Sequence, residues 1–167
     1  MSLLTKIDED REAAVLEKVN IGEVIEHVKA DIGSALAENN ITLYSELPED
    51  LAVKGNENLI YSIFRNLTDN VVSHAGRDVN ITIKLSGTRN GYAFFSFSDN
   101  GPGIDNDQHL GRLFERFYRV NEGRTRDTGG SGLGLSIVKN AVRLHGGTIA
   151  VRNISPHGLE FIFTLPI

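Results

Sequence analysis

The sequence contains no cysteine, which excludes a disulfide framework, thiolate catalysis and any cysteine-ligated metal. No window approaches the ~18 apolar residues of a membrane span, and no charged-then-apolar signal segment opens the chain. Excess base is also lacking: 17 Lys+Arg stand against 22 Asp+Glu, for a formal net charge of -5. An acidic balance of this kind argues against nucleic acid as a partner held through a general basic face. Two nucleotide signatures are missing as well. There is no G-x-x-x-x-G-K-[ST] loop, and the glycines at 129–134 (G-G-S-G-L-G) miss the G-x-G-x-x-G spacing with no strand directly before them. What remains is an acidic chain of 167 residues, expected to be soluble and cytoplasmic, with length for one domain and a short extension. A chain of this size buries roughly 70% of its unfolded surface, enough for a core without staples.

Charge and glycine are unevenly spread. Residues 1–31 hold eight acids and four bases, whereas residues 109–130 hold five arginines (Arg112, Arg116, Arg119, Arg124, Arg126) and three acids. Eight of the 17 glycines fall between Gly101 and Gly134. A glycine-dense, arginine-bearing stretch inside an acidic domain reads as a mobile loop that meets an anion. Charge taken alone fits an ordinary solvated loop equally well.

Periodicity organises the rest. Residues 1–19 read as a leader, with Leu3, Leu4 and Ile7 as the last turns of a longer helix and Asp8–Lys18 as a charged linker. Asn20 can cap a helix in which Ile21, Val24, Ile25, Val28, Ile32 and Leu36 recur at three- and four-residue steps. Short strands are expected near 41–47 and 51–53, and a second helix over about 56–74 carries Leu59, Ile63, Leu67 and Val71 as one stripe. Residues 79–86 and 92–98 form a strand pair around the Gly87–Gly91 turn. A short helical pattern covers 108–118, and a third long helix runs from about 132 to 145, stopped by Gly146-Gly147. The strands 148–153 and 159–165 close the chain as a hairpin. Strands in adjacent pairs predict an α/β (α+β) two-layer sandwich, its mixed and mainly antiparallel sheet covered on one face by three long helices.

Four motifs lie along this frame. Asn66 and Asn70 are four apart, on one face of the second helix. Asp99-Asn100-Gly101-Pro102-Gly103-Ile104 ends a strand, Phe114-Glu115-Arg116-Phe117 lies in the loop, and Gly129-Gly130-Ser131-Gly132-Leu133-Gly134-Leu135 leads into the third helix. Singly, each has an ordinary reading as a solvated stripe, a turn, a local core pair or a capped loop. Their order and separation make coincidence a poor account.

With these motifs the chain, from about residue 20 to 167, resembles the ATP-binding catalytic domain of sensor histidine kinases, a Bergerat-fold domain shared with gyrase, the Hsp90 chaperones and MutL. The resemblance aligns Asn66–Asn70 with the family's N box, Asp99–Gly103 with its first glycine box, Phe114–Phe117 with its F box and Gly130–Gly134 with its second glycine box. It implies that Asp99 accepts the exocyclic amine of adenine, a charge-assisted bond worth about 1.5–3 kcal/mol. Gly101 and Gly103 would let backbone approach the base, with Ile104 beside them. Asn70 would offer an amide oxygen to Mg²⁺, with Asn66 as second ligand or holder of a metal-bound water. Gly130, Ser131, Gly132, Leu133 and Gly134 would meet phosphate at a helix N-terminus. Residues 105–129 would form the ATP lid, anchored by Phe114 and Phe117, with Arg116 or Arg119 reaching the γ-phosphate. His74 and Thr164 complete the nucleotide contacts so implied, His74 equally readable as a helix end.

The implied function is transfer of the γ-phosphate of Mg-ATP to a histidine on a dimerisation and phosphotransfer domain, with a response regulator served indirectly. The hydrolytic branch of the superfamily carries glutamate where this chain has Asn66, and an amide cannot act as general base. Ser73 stands where relatives usually carry Lys or Arg. The five histidines are followed by Val, Ala, Leu, Gly and Gly, not by the acid that follows the family's phosphoacceptor. The chain is therefore expected to lack its own acceptor, to be monomeric, and to come from a parent that can be membrane-anchored. The alternative is a nucleotide-responsive docking module that transfers no phosphate.

Overall fold

The computed structural model describes residues 17–105, 107–116 and 133–167. In chain order these form β1 (Lys18–Asn20), α1 (Ile21–Glu38), β2 (Thr42–Glu46), β3 (Ala52–Lys54), α2 (Glu57–His74), β4 (Asn80–Arg89), β5 (Tyr92–Asp99), α3 (Asp107–Arg112), α4 (Gly134–Leu144), β6 (Ile149–Asn153) and β7 (Leu159–Pro166). Five strands make one sheet in the order β2-β4-β5-β7-β6, and β1 pairs with β3 in a separate two-stranded ribbon. The sheet is antiparallel except for the parallel β2–β4 pair.

Strand alternation makes the layers. Ala93, Phe95, Phe97 and Asp99 of β5, with Phe161 and Phe163 of β7, face one side and are buried. The intervening Phe94, Ser98, Glu160 and Ile162 are only partly covered, as expected where one face of a sheet stays in water. The helices pack on the buried side. Phe64 of α2 meets Phe95 edge-on at 6.1 Å and Phe163 at 5.6 Å, while those two stack at 5.3 Å. This aromatic trio sits at the centre of the core, where offset and edge-on ring pairs add about 0.5–1.5 kcal/mol beyond area burial. Asparagines open the first two helices: Asn20 Oδ1 accepts the Glu23 N–H at 2.9 Å, and Asn56 Oδ1 accepts the Leu59 N–H at 3.0 Å.

Helix α4 runs antiparallel to α2 and is tied to it at its far end. Buried His145 has Nδ1 2.7 Å from the Ala141 carbonyl, so Nδ1 carries the proton and Nε2 accepts the Asn56 N–H at 3.1 Å. Gly55 makes room for the ring, since a Cβ there would stand 2.5 Å from Nε2. Burial pushes this imidazole below the ordinary histidine range, with the Ala141 carbonyl opposing part of that effect.

Three expectations change. The short strands around Pro48 do not pair with each other: β2 lies parallel to β4, and β3 pairs with β1. Lys18 and Val19, read as the end of a leader, belong with Asn20 to that partner strand, because Val19 and Val53 are both buried and the Gly55 N–H reaches the Glu17 carbonyl at 2.8 Å. The strand expected to stop at 86 continues to Arg89 through a bulge between Leu85 and Gly87, leaving the turn at Asn90-Gly91. Among the described residues no helix is long and apolar enough to cross a membrane.

Candidate nucleotide site

Where β5 ends, the chain turns beside the C-terminal half of α2 and opens a shallow cleft. Asn70, Val71, His74 and Ala75 form one wall, Pro102, Gly103 and Ile104 another, and Asp99, Leu113 and Leu159 complete the lining. The walls are mainly apolar, and the polar groups on them are few and placed, the usual make-up of a small-molecule site.

Asp99 is the most constrained of these groups. It takes the inward position after Phe97 and is only 7% exposed. Its Oδ1 accepts the Gly101 N–H at 2.8 Å. Burial raises its carboxyl above the ordinary aspartate range, and the N–H groups of Gly101 and Leu159 pull it part of the way back. Two glycines make the close packing around it possible. A Cβ on Gly101 would stand 2.7 Å from Ala75 Cβ and 2.9 Å from Asp99 Oδ1, and one on Gly158 would stand 2.1 Å from the Asp99 carbonyl oxygen. Gly103 adopts φ 74°, which an L side chain rarely tolerates.

Asn70 and His74, one turn apart on α2, both reach the cleft. Asn66 lies a turn earlier and does not line it. Its Nδ2 donates to the Ser62 carbonyl at 2.8 Å, and its Oδ1 lies where a Cβ on Gly134 would come within 3.2 Å. Asn66 therefore marks the place where the start of α4 meets α2. Leu133 precedes that helix, and its carbonyl accepts the Ile137 N–H at 3.0 Å and the Ser136 hydroxyl at 2.7 Å. A leucine side chain cannot cap, so Leu133 does not do for α4 what asparagine does for α1 and α2.

Phe114 packs edge-on against Phe161 at 6.0 Å, with Lys139 Nζ 5.8 Å from its ring centroid, so the chain is fixed to the core two residues before exposed Arg116. Phe117, Arg119, Gly130, Ser131 and Gly132 lie outside the described residues. Thr164 is not brought to the cleft. Its Oγ1 accepts the Thr148 N–H at 2.9 Å, and it pairs with Phe94, five residues along β5 from Asp99, a distance of about 17 Å along a strand. Leu159, opposite Asp99 in that register, is the β7 residue at the site. Sequence reasoning also passed over Leu113, Ala75 and Gly158. Gly158 had a signal in the turn Ser155–Gly158, but nothing local pointed to its partner on β5.

A family model described as "Histidine kinase-, DNA gyrase B-, and HSP90-like ATPase" matches residues 55–167. The sensor histidine kinase YkoH of Bacillus subtilis is 42% identical over 105 residues, 63% of this chain and 22% of that protein. The signal transduction histidine-protein kinase BaeS of Escherichia coli is 31% identical over 164 residues, 98% of this chain and 35% of its own length. The chain thus spans between a fifth and about a third of these relatives. Among solved structures, the mycobacterial sensor histidine kinase MprB aligns with a TM-score of 0.74 at 28% identity, covering 91% of this chain and 97% of that one.

Proposed function

The chain belongs to the histidine kinase-, DNA gyrase B- and HSP90-like ATPase family, and from that premise we propose that it is the ATP-binding catalytic domain of a two-component sensor histidine kinase, passing the γ-phosphate of Mg-ATP to a histidine on a separate dimerisation domain. The observation that carries this reading is the buried carboxylate of Asp99 at the floor of an otherwise apolar cleft. A buried anion aimed into a cleft wants a donor, and the exocyclic amine of adenine is one that guanine lacks at that position.

The other residues take roles that their chemistry suits. Gly101 and Gly103 let the wall beside the base pack closely against Ala75, Asp99 and Asn153, where a Cβ would clash. Asn70 presents an amide from the facing wall. Among the described residues no group of three or more His, Cys, Asp or Glu could hold a metal. A Mg²⁺ here would rest on the Asn70 amide oxygen together with phosphate oxygens, a sparse protein contribution that this ion accepts. When bound, it would neutralise phosphate charge. The first amides of α4, from Gly134 onward, suit phosphate oxygens at a helix N-terminus. Asn66 would steady that junction, and as an amide it cannot activate water as a base. Arg116 or, beyond the described residues, Arg119 would reach the γ-phosphate. His74 would contact the nucleotide from the cleft wall. The parent would work in the cytoplasm, with a response regulator as the final phosphate acceptor.

The test has two stages. Calorimetric titration with ADP and a non-hydrolysable ATP analogue, with and without Mg²⁺, reads the site. Labelled γ-phosphate supplied with a dimerisation-domain fragment then reads transfer. Binding without transfer to a folded fragment would favour a docking module, and multiple-turnover phosphate release by the chain alone would favour an ATPase.

A further inference from the structure

Asn153, the last residue of β6, reaches across to the glycine loop that lines the cleft. Its Oδ1 accepts the Ile104 N–H at 2.8 Å, and its Nδ2 donates to the Ile104 carbonyl at 2.6 Å. One side-chain amide thus satisfies both backbone groups of a residue 49 positions earlier in the chain. The contact also shapes the neighbour: a Cβ on Gly103 would stand 2.7 Å from Asn153 Oδ1. A second hook comes from the turn of the same hairpin, where His157 Nδ1 lies 3.1 Å from the Gly101 carbonyl. The two hooks therefore hold the loop at its first residue and its last, with Pro102 and Gly103 between them. A loop with two glycines and no ladder of its own has many conformations to lose.

We propose that Asn153 is a positioning residue for nucleotide binding, fixing the Gly101–Ile104 wall in the conformation that receives the purine. The proposal rests on the nucleotide reading of the cleft. Asn153 is exposed and does not line the cleft, so it acts through the loop. Both of its hydrogen bonds lie at the surface, where water can replace them, so its loss costs the fold little and the loop its single conformation. Apparent Kd rises as the receptive fraction falls, and a loop receptive one-fifth of the time binds about fivefold more weakly.

The experiment compares the full chain with Asn153→Ala and the near-isosteric Asn153→Asp. The aspartate keeps an acceptor for the Ile104 N–H but loses the donor to its carbonyl. ADP affinity is read by calorimetry, the unfolding midpoint without nucleotide by fluorimetry, and the Ile104 amide by hydrogen exchange. Expected are a Kd about three- to tenfold weaker, a midpoint within about 2 °C of wild type, and faster exchange at Ile104. Wild-type affinity in both variants overturns the proposal, as does a weaker Kd that only tracks a large fall in midpoint. If Asn153→Ala fails to fold, Asn153→Asp carries the same comparison. A wild-type chain that binds no ADP is seen before any variant is made, and it removes the nucleotide reading and this proposal together.

Discussion

Asp99→Asn separates recognition from folding at a single atom. The substitution preserves shape, and the asparagine oxygen can still accept the Gly101 N–H that Asp99 holds at 2.8 Å. What changes is the second position, where an acceptor becomes an NH₂ donor facing the donor of an adenine amine. Loss of a charge-assisted hydrogen bond costs about 1.5–3 kcal/mol, so ADP should bind about tenfold to a hundredfold more weakly. Stability should change little, because removal of a buried charge offsets any weakening of the Leu159 N–H contact. The folded carboxyl titrates above its unfolded value because it is buried, so protonation favours the fold, and that gain is lost as pH rises through the folded pKa. At neutral pH the ionised group is a cost, which asparagine removes. Calorimetry with ADP alongside urea unfolding at neutral pH reads both quantities. A folded variant that binds ADP as tightly as wild type would refute the assignment of Asp99 to the base. A variant that loses several kcal/mol of stability would show the charge to be structural.

Three further outcomes follow from other parts of the molecule. Phe64→Ala empties the centre of the aromatic trio and should cost about 3–5 kcal/mol in urea unfolding; a loss below about 1 kcal/mol would mean that the core closes over the gap. Stability should fall as pH drops below about 6.5, because the unfolded chain then protonates His145 while the buried ring resists. That single site gives a slope of at most about 1.4 kcal/mol per pH unit, and His145→Gln should flatten the profile; an unchanged profile in the variant would remove His145 as its source. Gly158→Ala should destabilise by about 1–3 kcal/mol and weaken ADP binding, since its Cβ meets the Asp99 carbonyl oxygen and its φ is 128°; wild-type unfolding and binding would contradict that contact.

Local pattern carried much of the fold. The apolar stripe from Ile21 to Leu36 marks α1 because a helix repeats its face every three to four residues, and all six of its members are buried. The alternation in β5 likewise places Phe95 and Phe97 on the core side. What the sequence hid were contacts between distant residues. The parallel β2–β4 pairing leaves no local turn signal, and three residues of β1 are too few to show a period. The same applies at the site. Asp99, Gly101 and Gly103 form a compact motif, whereas the Asn56–His145 bond spans 89 positions and Asn153 looks like any residue ending a strand. Thr164 lies on the same strand as Leu159, but the register of β7 sets it opposite Phe94, at the other end of β5 from Asp99.

The anchoring of Phe114 and of α4 has an entropic consequence. Phe114 is held on Phe161, and α4 is secured against α2 near Asn66 at one end and through His145 at the other. The core therefore sets the spacing between the Phe114 anchor and the start of α4 before any ligand arrives, so a ligand that touches both would be spared the cost of ordering them.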